Sequence, residues 1–130
     1  MKTFTHTLRV RYADTDQMGF VYYGKYAEYF EVARVEALRE SGFTYKKMEE
    51  NGCLLPVIEY NIKYFKPATY DAEIKIVTSA KRLSSVKVSF AHKCYIGEVQ
   101  INEATVVLAC IDSKVKTPKP LPDNIAKVFV

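Results

Sequence analysis

Long apolar runs are missing from this chain of 130 residues. None approaches the ~20 residues that a membrane-spanning helix needs, and the N-terminus lacks the apolar core of a signal peptide, so no membrane span and a cytoplasmic location are expected. A cluster of Lys and Arg is missing too. The formal charge is +4, but basic and acidic residues interleave along the whole length, and no nucleic-acid reading motif stands among them. Nucleic acid is therefore not an expected partner, whereas small phosphorylated molecules suit this mild positive balance. Cysteine is scarce: Cys53, Cys94 and Cys110 are an odd number at wide spacing, without a C-x-x-C pair or histidines at zinc-ligand distances. They read as reduced, buried thiols, including Cys110 inside the apolar run 106–111. Neither an internal repeat nor a low-complexity segment is present. What remains is a chain that is 48% hydrophobic, enough for one compact domain spanning residues 1–130.

The stretch around which the chain is organised runs from Asp14 through Asp16, Gly19 and Tyr23 to Tyr26. An acidic loop, a turn glycine and then a helix N-terminus bring a carboxylate close to unpaired backbone N–H groups, a pairing suited to acyl-group chemistry. A calcium loop begun at Asp14 fails on ligands, because its fifth and twelfth positions would be Met18 and Lys25. The Asp-x-Asp pattern of magnesium-dependent phosphatases fails as well, since the repeated βαβ units of that design are absent. No metal is expected.

Period-two alternation over 5–12 predicts a first strand that delivers the chain to the Asp loop. From Gly24, the residues Tyr26, Phe30, Ala33 and Ala37 recur at helical spacing, joined by Ala27 and Leu38, and predict one long helix stopped by Gly42. Glu31/Arg34 and Glu36/Arg39 stand at i,i+3 as expected ion pairs on it. A short helix over 43–51 is followed by a strand over 54–65 with Ile58, Tyr60, Ile62 and Tyr64 on its apolar side. Further strands restart at Tyr70-Asp71, at Val86 and at Val99, the last running to Ile111. His6 and His92 both lie on apolar stripes and read as structural. The run 106–111 is apolar on both sides, so both faces should be covered. One helix covers one face; the expectation is that a second subunit covers the other. Asp123 is read as the cap of a final short turn. The order of strand, long helix and four antiparallel strands predicts an α+β domain.

The residues Arg9-x-Arg11-Tyr12-x-Asp14-Thr15-Asp16-Gln17-Met18-Gly19-x-Val21-Tyr22-Tyr23-x-x-Tyr26, then Phe30-Glu31-x-Ala33-Arg34, closely resemble acyl-CoA thioesterases of the 4-hydroxybenzoyl-CoA thioesterase family. Tyr64-Phe65-Lys66-Pro67-Ala68-x-Tyr70-Asp71 supports the likeness, which covers essentially the whole chain. The resemblance implies a hotdog fold, in which a long central helix is wrapped by a five-stranded antiparallel sheet, and homodimers that often assemble as dimers of dimers. It implies hydrolysis of an acyl-CoA substrate without cofactor or metal. Asp16 is then nucleophile or general base, and the backbone N–H of Tyr23 holds the thioester oxygen. Asp14 is read as shaping the loop. Many close relatives carry His where this chain has Tyr23, so no side-chain acid or base is available at that position. Tyr22, Tyr26, Phe30 and Tyr64 are candidates to line an acyl pocket, and Lys81 and Arg82 to meet the phosphates of coenzyme A. Two rival readings are a hotdog dehydratase or hydratase, which would pair a catalytic His with an acid, and a non-catalytic acyl-CoA-binding protein.

Overall fold

The computed structural model describes residues 3–129. Strand β1 (Phe4–Arg9) leads into the Asp loop and helix α1 (Tyr23–Glu40); a short helix α2 (Tyr45–Glu50) and a two-residue strand β2 (Cys53–Leu54) follow. Then come β3 (Val57–Tyr64), β4 (Glu73–Arg82), β5 (Lys87–Ile96), β6 (Val99–Ala109), a two-residue β7 (Ile111–Asp112) and a single-turn helix α3 (Asp123–Ala126). Five strands make one sheet in the order β1-β4-β5-β6-β3, while β2 pairs with β7 separately. Every pairing is antiparallel. The class is therefore α+β, and among the described residues no helix is long and apolar enough to cross a membrane.

The buried stripe of α1, an 18-residue helix, carries Tyr26, Tyr29, Phe30, Ala33, Ala37 and Leu38. Its first half packs on Ile74, Ile76, Cys94 and Ile101 of the sheet. Leu38, at the other end, meets Val88, Phe90 and Leu108, and the C-terminal segment closes that end of the core with Leu121, Ile125 and Phe129. The helix stops where expected, because Gly42 takes φ +94° and the N–H of Phe43 turns back to the carbonyl of Leu38 at 2.9 Å. Ala27 departs from the expected stripe and is exposed. Of the two expected ion pairs, Glu36 and Arg39 form theirs, at 3.5 Å. Glu31 points to solvent while Arg34 is turned inward and buried, so the expected Glu31/Arg34 pair does not form.

The strand expected over 54–65 is two elements, since Pro56 between them has no N–H to give to a ladder. Tyr70-Asp71 lies in a turn before β4, with Asp71 in the left-handed region at φ +71°. Pro122, not Asp123, occupies the position that caps α3, and no side chain caps it. His92 is the structural histidine expected. Its Nδ1 is 2.9 Å from the Thr78 hydroxyl, its ring stacks on Phe30 at 4.7 Å, and burial, then the nearby Arg34 charge, lowers its pKa to about 3. The three cysteines are free and buried, and Cys53 and Cys110 bring their sulfurs to 2.7 Å.

The reasoning that pointed to a second subunit through 106–111 is overturned. Val106 and Leu108 are buried on one side of β6, and Val107 on the other is only 8% exposed within a single chain. The apolar surface left bare belongs to β3, an edge strand on which Ile58 is 51% and Tyr64 47% exposed. A long, apolar, unpaired edge is what folds normally avoid exposing.

Candidate active site

Two aspartates build the loop, in different ways. Asp14 ends a single 3-10 turn, Tyr12–Asp14, and is buried. Its Oδ2 accepts from the Arg11 backbone N–H at 3.0 Å and from the Tyr29 hydroxyl at 2.8 Å, and Lys25 Nζ stands 3.8 Å from Oδ1. Burial by itself would raise this carboxyl; the Arg11 N–H, the Tyr29 hydroxyl and the Lys25 charge outweigh it and hold the pKa below the ordinary 3.8. A group depressed in the folded state stabilises the fold above its ordinary pKa and loses that contribution as pH falls through the folded value. Asp14→Asn is accordingly expected to flatten the fall in stability below about pH 4, read by urea unfolding at a series of acidic pH values.

Asp16 is half-buried. Its Oδ1 accepts from the N–H groups of Met18 at 3.0 Å and Phe20 at 3.3 Å, and its main chain bonds to Phe20 and Gly19. This tight turn needs Gly19, whose φ of +85° suits a residue without Cβ. Oδ2 has no hydrogen-bond partner among the described residues. The loop is fastened to α1 by the Tyr22 N–H, which donates to the Asp14 carbonyl at 2.9 Å. Tyr22 is the N-cap and offers no side-chain cap. The N–H groups of Tyr23 and Gly24, at the positive end of an 18-residue helix, are thus left for a ligand.

Asp16, Tyr23, Tyr26 and Tyr64 line one pocket of about 330 Å³, so four of the expected site residues come together. Tyr26 is buried, and its ring meets that of Tyr64 edge-on at 5.7 Å; burial pushes the Tyr26 phenol well up. The Tyr23 phenol is exposed. Tyr22 lies over the helix start, its ring 4.8 Å from that of Tyr23, outside the pocket's walls. Phe30 is 0% exposed, in the core and away from this pocket. Lys81 and Arg82 are not brought near either. They end β4, whose beginning adjoins the loop, and at ~3.3 Å per residue its nine steps put them roughly 30 Å away within one chain. Sequence reasoning passed over Phe65 and Lys66, which also line the pocket. Their signal was the Tyr64-Phe65-Lys66-Pro67 segment itself: β3 ends at Tyr64, and the N–H groups of Phe65 and Lys66 both donate to the Ile101 carbonyl, at 2.8 and 3.0 Å. Among the described residues, no group of three or more His, Cys, Asp or Glu could hold a metal ion.

Residues 10–129 match the thioesterase-like superfamily. The chain is 36% identical over 122 residues to a putative acyl-CoA thioesterase, YneP, of Bacillus subtilis, covering 89% of this chain and 88% of that one. It is 30% identical to the acyl-CoA thioester hydrolase YbgC of Escherichia coli, over 97% of this chain and 95% of that one. In structure it resembles a DHNA-CoA thioesterase from Staphylococcus aureus, with a TM-score of 0.88, 30% identity, and 93% and 82% of the two chains covered. Matched to that family model along nearly its whole length, and to both relatives over most of either chain, this protein is a member of the thioesterase-like superfamily.

Proposed function

We propose that the protein hydrolyses acyl-CoA thioesters to the free acid and coenzyme A at the Asp16 pocket, with the hotdog arrangement of helix and sheet as its frame. The observation that carries this reading is the split role of Asp16: Oδ1 is fixed by two N–H groups while Oδ2 is left for chemistry beside the start of α1. The thioester oxygen accepts from the Tyr23 N–H, where the helix terminus favours developing negative charge. Asp16 then acts in one of two balanced ways. As base it takes a proton from water, whose oxygen adds to the carbonyl, and collapse expels the thiolate, which takes up a proton. As nucleophile it forms an anhydride with the acyl group, releasing thiolate, and water then adds to the Asp16 carbonyl of the anhydride, regenerating the carboxylate and releasing the free acid. Single turnover in oxygen-18 water separates the routes, since only the second leaves the label in Asp16. A panel of acyl-CoA thioesters with direct measurement of thiol release tests the activity and ranks substrates. The hydratase reading loses ground on one observation, because His92 is sealed in the core and neutral.

Tyr26, Tyr64 and Phe65 form the apolar wall against which the acyl group lies. Lys66, at the pocket itself, is the charge nearest to hand for the coenzyme A phosphates, and Lys81 and Arg82 reach phosphates only at another subunit's pocket. Lys66→Ala is expected to raise KM severalfold with little change in kcat, and raising salt should do the same to the wild type. An unchanged KM in Lys66→Ala, set against a raised one in Lys81→Ala/Arg82→Ala, would assign the phosphates to the second pair.

The same reading includes a homodimer, and a dimer of dimers beyond it, joined through the bare edge of β3. Two copies of an unpaired strand satisfy each other about a two-fold axis. Ile58→Lys, at a position 51% exposed in one chain, is expected to convert the dimer to monomer in sedimentation velocity. A dimer indifferent to that charge would move the interface elsewhere.

A further inference from the structure

Two of the three thiols meet. Cys53, on β2, and Cys110, at the bend between β6 and β7, are 57 residues apart in the chain, yet their sulfurs stand 2.7 Å from each other. Their other polar contacts are long, 4.0 Å from Cys53 to the Leu54 carbonyl and 3.9 Å from Cys110 to that of Pro120. Cys94 lies apart. It is buried on β5 among the residues packed under the first half of α1, whereas the pair belongs to the cluster at the other end of the core. None of the three lines the Asp16 pocket.

Two thiols held in contact need little movement to become a disulfide, and their closeness gives the second a high effective concentration toward whatever forms on the first. In the closed fold that chemistry is held back. Burial, then the neighbouring Cys110 thiol, pushes the Cys53 thiol up to about 12, and a thiol without its thiolate is a poor nucleophile. The segment that carries Cys53 is, however, lightly anchored. Helix α2 has six residues, of which only Met48 is buried, and β2 and β7 share a ladder of two residue pairs. Elements this short are marginal by themselves, so they open locally without global unfolding. A cavity of about 430 Å³ between α1, α2 and the start of β3, which Cys53 also borders, leaves the segment room to move. Each closing returns Cys53 to Cys110.

We propose that Cys53 and Cys110 form a reversible disulfide that fastens the α2–β2 segment to the end of β6 under oxidising conditions. With hydrogen peroxide as the oxidant, Cys53 gives up its proton as the segment opens, and the thiolate attacks one peroxide oxygen. It becomes a sulfenic acid, and the departing hydroxide takes the proton as water. On closing, the Cys110 sulfur attacks the sulfenic sulfur; the S–S bond forms, and the hydroxyl leaves with the Cys110 proton as a second water. Two thiols and one peroxide thus give one disulfide and two waters. A dithiol reductant reverses the change.

The test uses the full chain, reduced and then treated with hydrogen peroxide. Two of the three thiols should be lost to titration in denaturant, the mass should fall by two hydrogens, and a peptide map should join Cys53 to Cys110. Dithiothreitol should restore all three thiols. Exchange of the Met48 N–H, which donates to the Thr44 carbonyl within α2, should slow about tenfold or more in the oxidised form, because the disulfide restricts local opening. Urea below the unfolding transition should speed oxidation. Cys94→Ser should oxidise as the wild type does, and Cys110→Ser should stop at a sulfenic acid on Cys53 that dimedone captures. Three thiols still titratable after peroxide at every urea concentration below the transition would overturn the proposal, and this is read on the wild type even if Cys110→Ser fails to fold. A bridge to Cys94 or between chains would overturn it too. So would a Cys53–Cys110 disulfide that leaves Met48 exchange unchanged, since nothing would then be fastened.

Discussion

Asp16→Asn is expected to lower turnover of a good acyl-CoA substrate by ~10²–10⁴-fold, the usual cost of removing a general base, and by more if Asp16 is the nucleophile. The amide keeps an oxygen at the Oδ1 position, so the bonds from the Met18 and Phe20 N–H groups survive and the loop holds its shape. What is lost is the charge and basicity at Oδ2. Circular dichroism and sedimentation should therefore be unchanged while thiol release falls. Tyr23→Phe serves as the internal control, because it keeps the backbone N–H and changes only an exposed phenol; its turnover should stay within a few-fold of wild type. A folded Asp16→Asn protein with normal turnover would remove Asp16 from the chemistry. A severe loss in Tyr23→Phe would bring the phenol into it.

The second large effect is on stability. Phe30→Ala is expected to cost about 3–5 kcal/mol, as for other fully buried phenylalanines cut back to a methyl. Phe30 is fully buried, stacked on His92 and in ring contact with Tyr26 and Tyr60. Its loss opens a space that the rigid sheet beneath cannot close. Against a typical total of ~5–15 kcal/mol, such a loss is a large share. Urea unfolding should show a lower midpoint at nearly unchanged slope. Phe30→Leu, which retains most of the apolar volume, should recover much of the loss. The sequence made Phe30 a candidate for the acyl wall. If Phe30→Ala kept wild-type stability and instead changed the ranking of acyl groups, that assignment would be restored.

Much of this fold was legible in the residues themselves, because local rules determine it. Apolar residues at helical spacing from Tyr26 to Ala37 fixed which side of α1 is buried, and Gly42 fixed its end. Alternation placed β1, β4 and β5 to within a few residues, and it identified the apolar stripe that buries His92. The Asp loop was legible for the same reason: Asp, turn glycine and helix start are neighbours in sequence, so their proximity needs no tertiary contact. Tyr64 required more. It reaches the loop only across the chain; alternation put it on an apolar face, and the resemblance made it a candidate for the acyl pocket.

Tertiary structure decided everything that depends on strand order and on the direction a long side chain takes. Alternation makes Ile58, Tyr60, Ile62 and Tyr64 one apolar face, but a register shift between Val57 and Glu59 takes Ile58 out of that pattern, while Tyr60 and Tyr64 meet the rings of Phe30 and Tyr26; what pairing with β6 alone leaves open is the hydrogen-bonding edge of β3. Doubly apolar sequence in β6 suggested a partner's cover, but β6 sits between β5 and β3, and Val107 is buried within one chain. Lys81 and Arg82 are chemically suited to phosphates, yet the ten-residue length of β4 carries them to the far end of the molecule. Arg34, three residues after Glu31, had every local reason to pair with it on the surface. The cavity between α1, α2 and β3 turned it inward, since a guanidinium at the end of a flexible stem goes where the packing of several distant segments leaves room, and no sequence spacing encodes that.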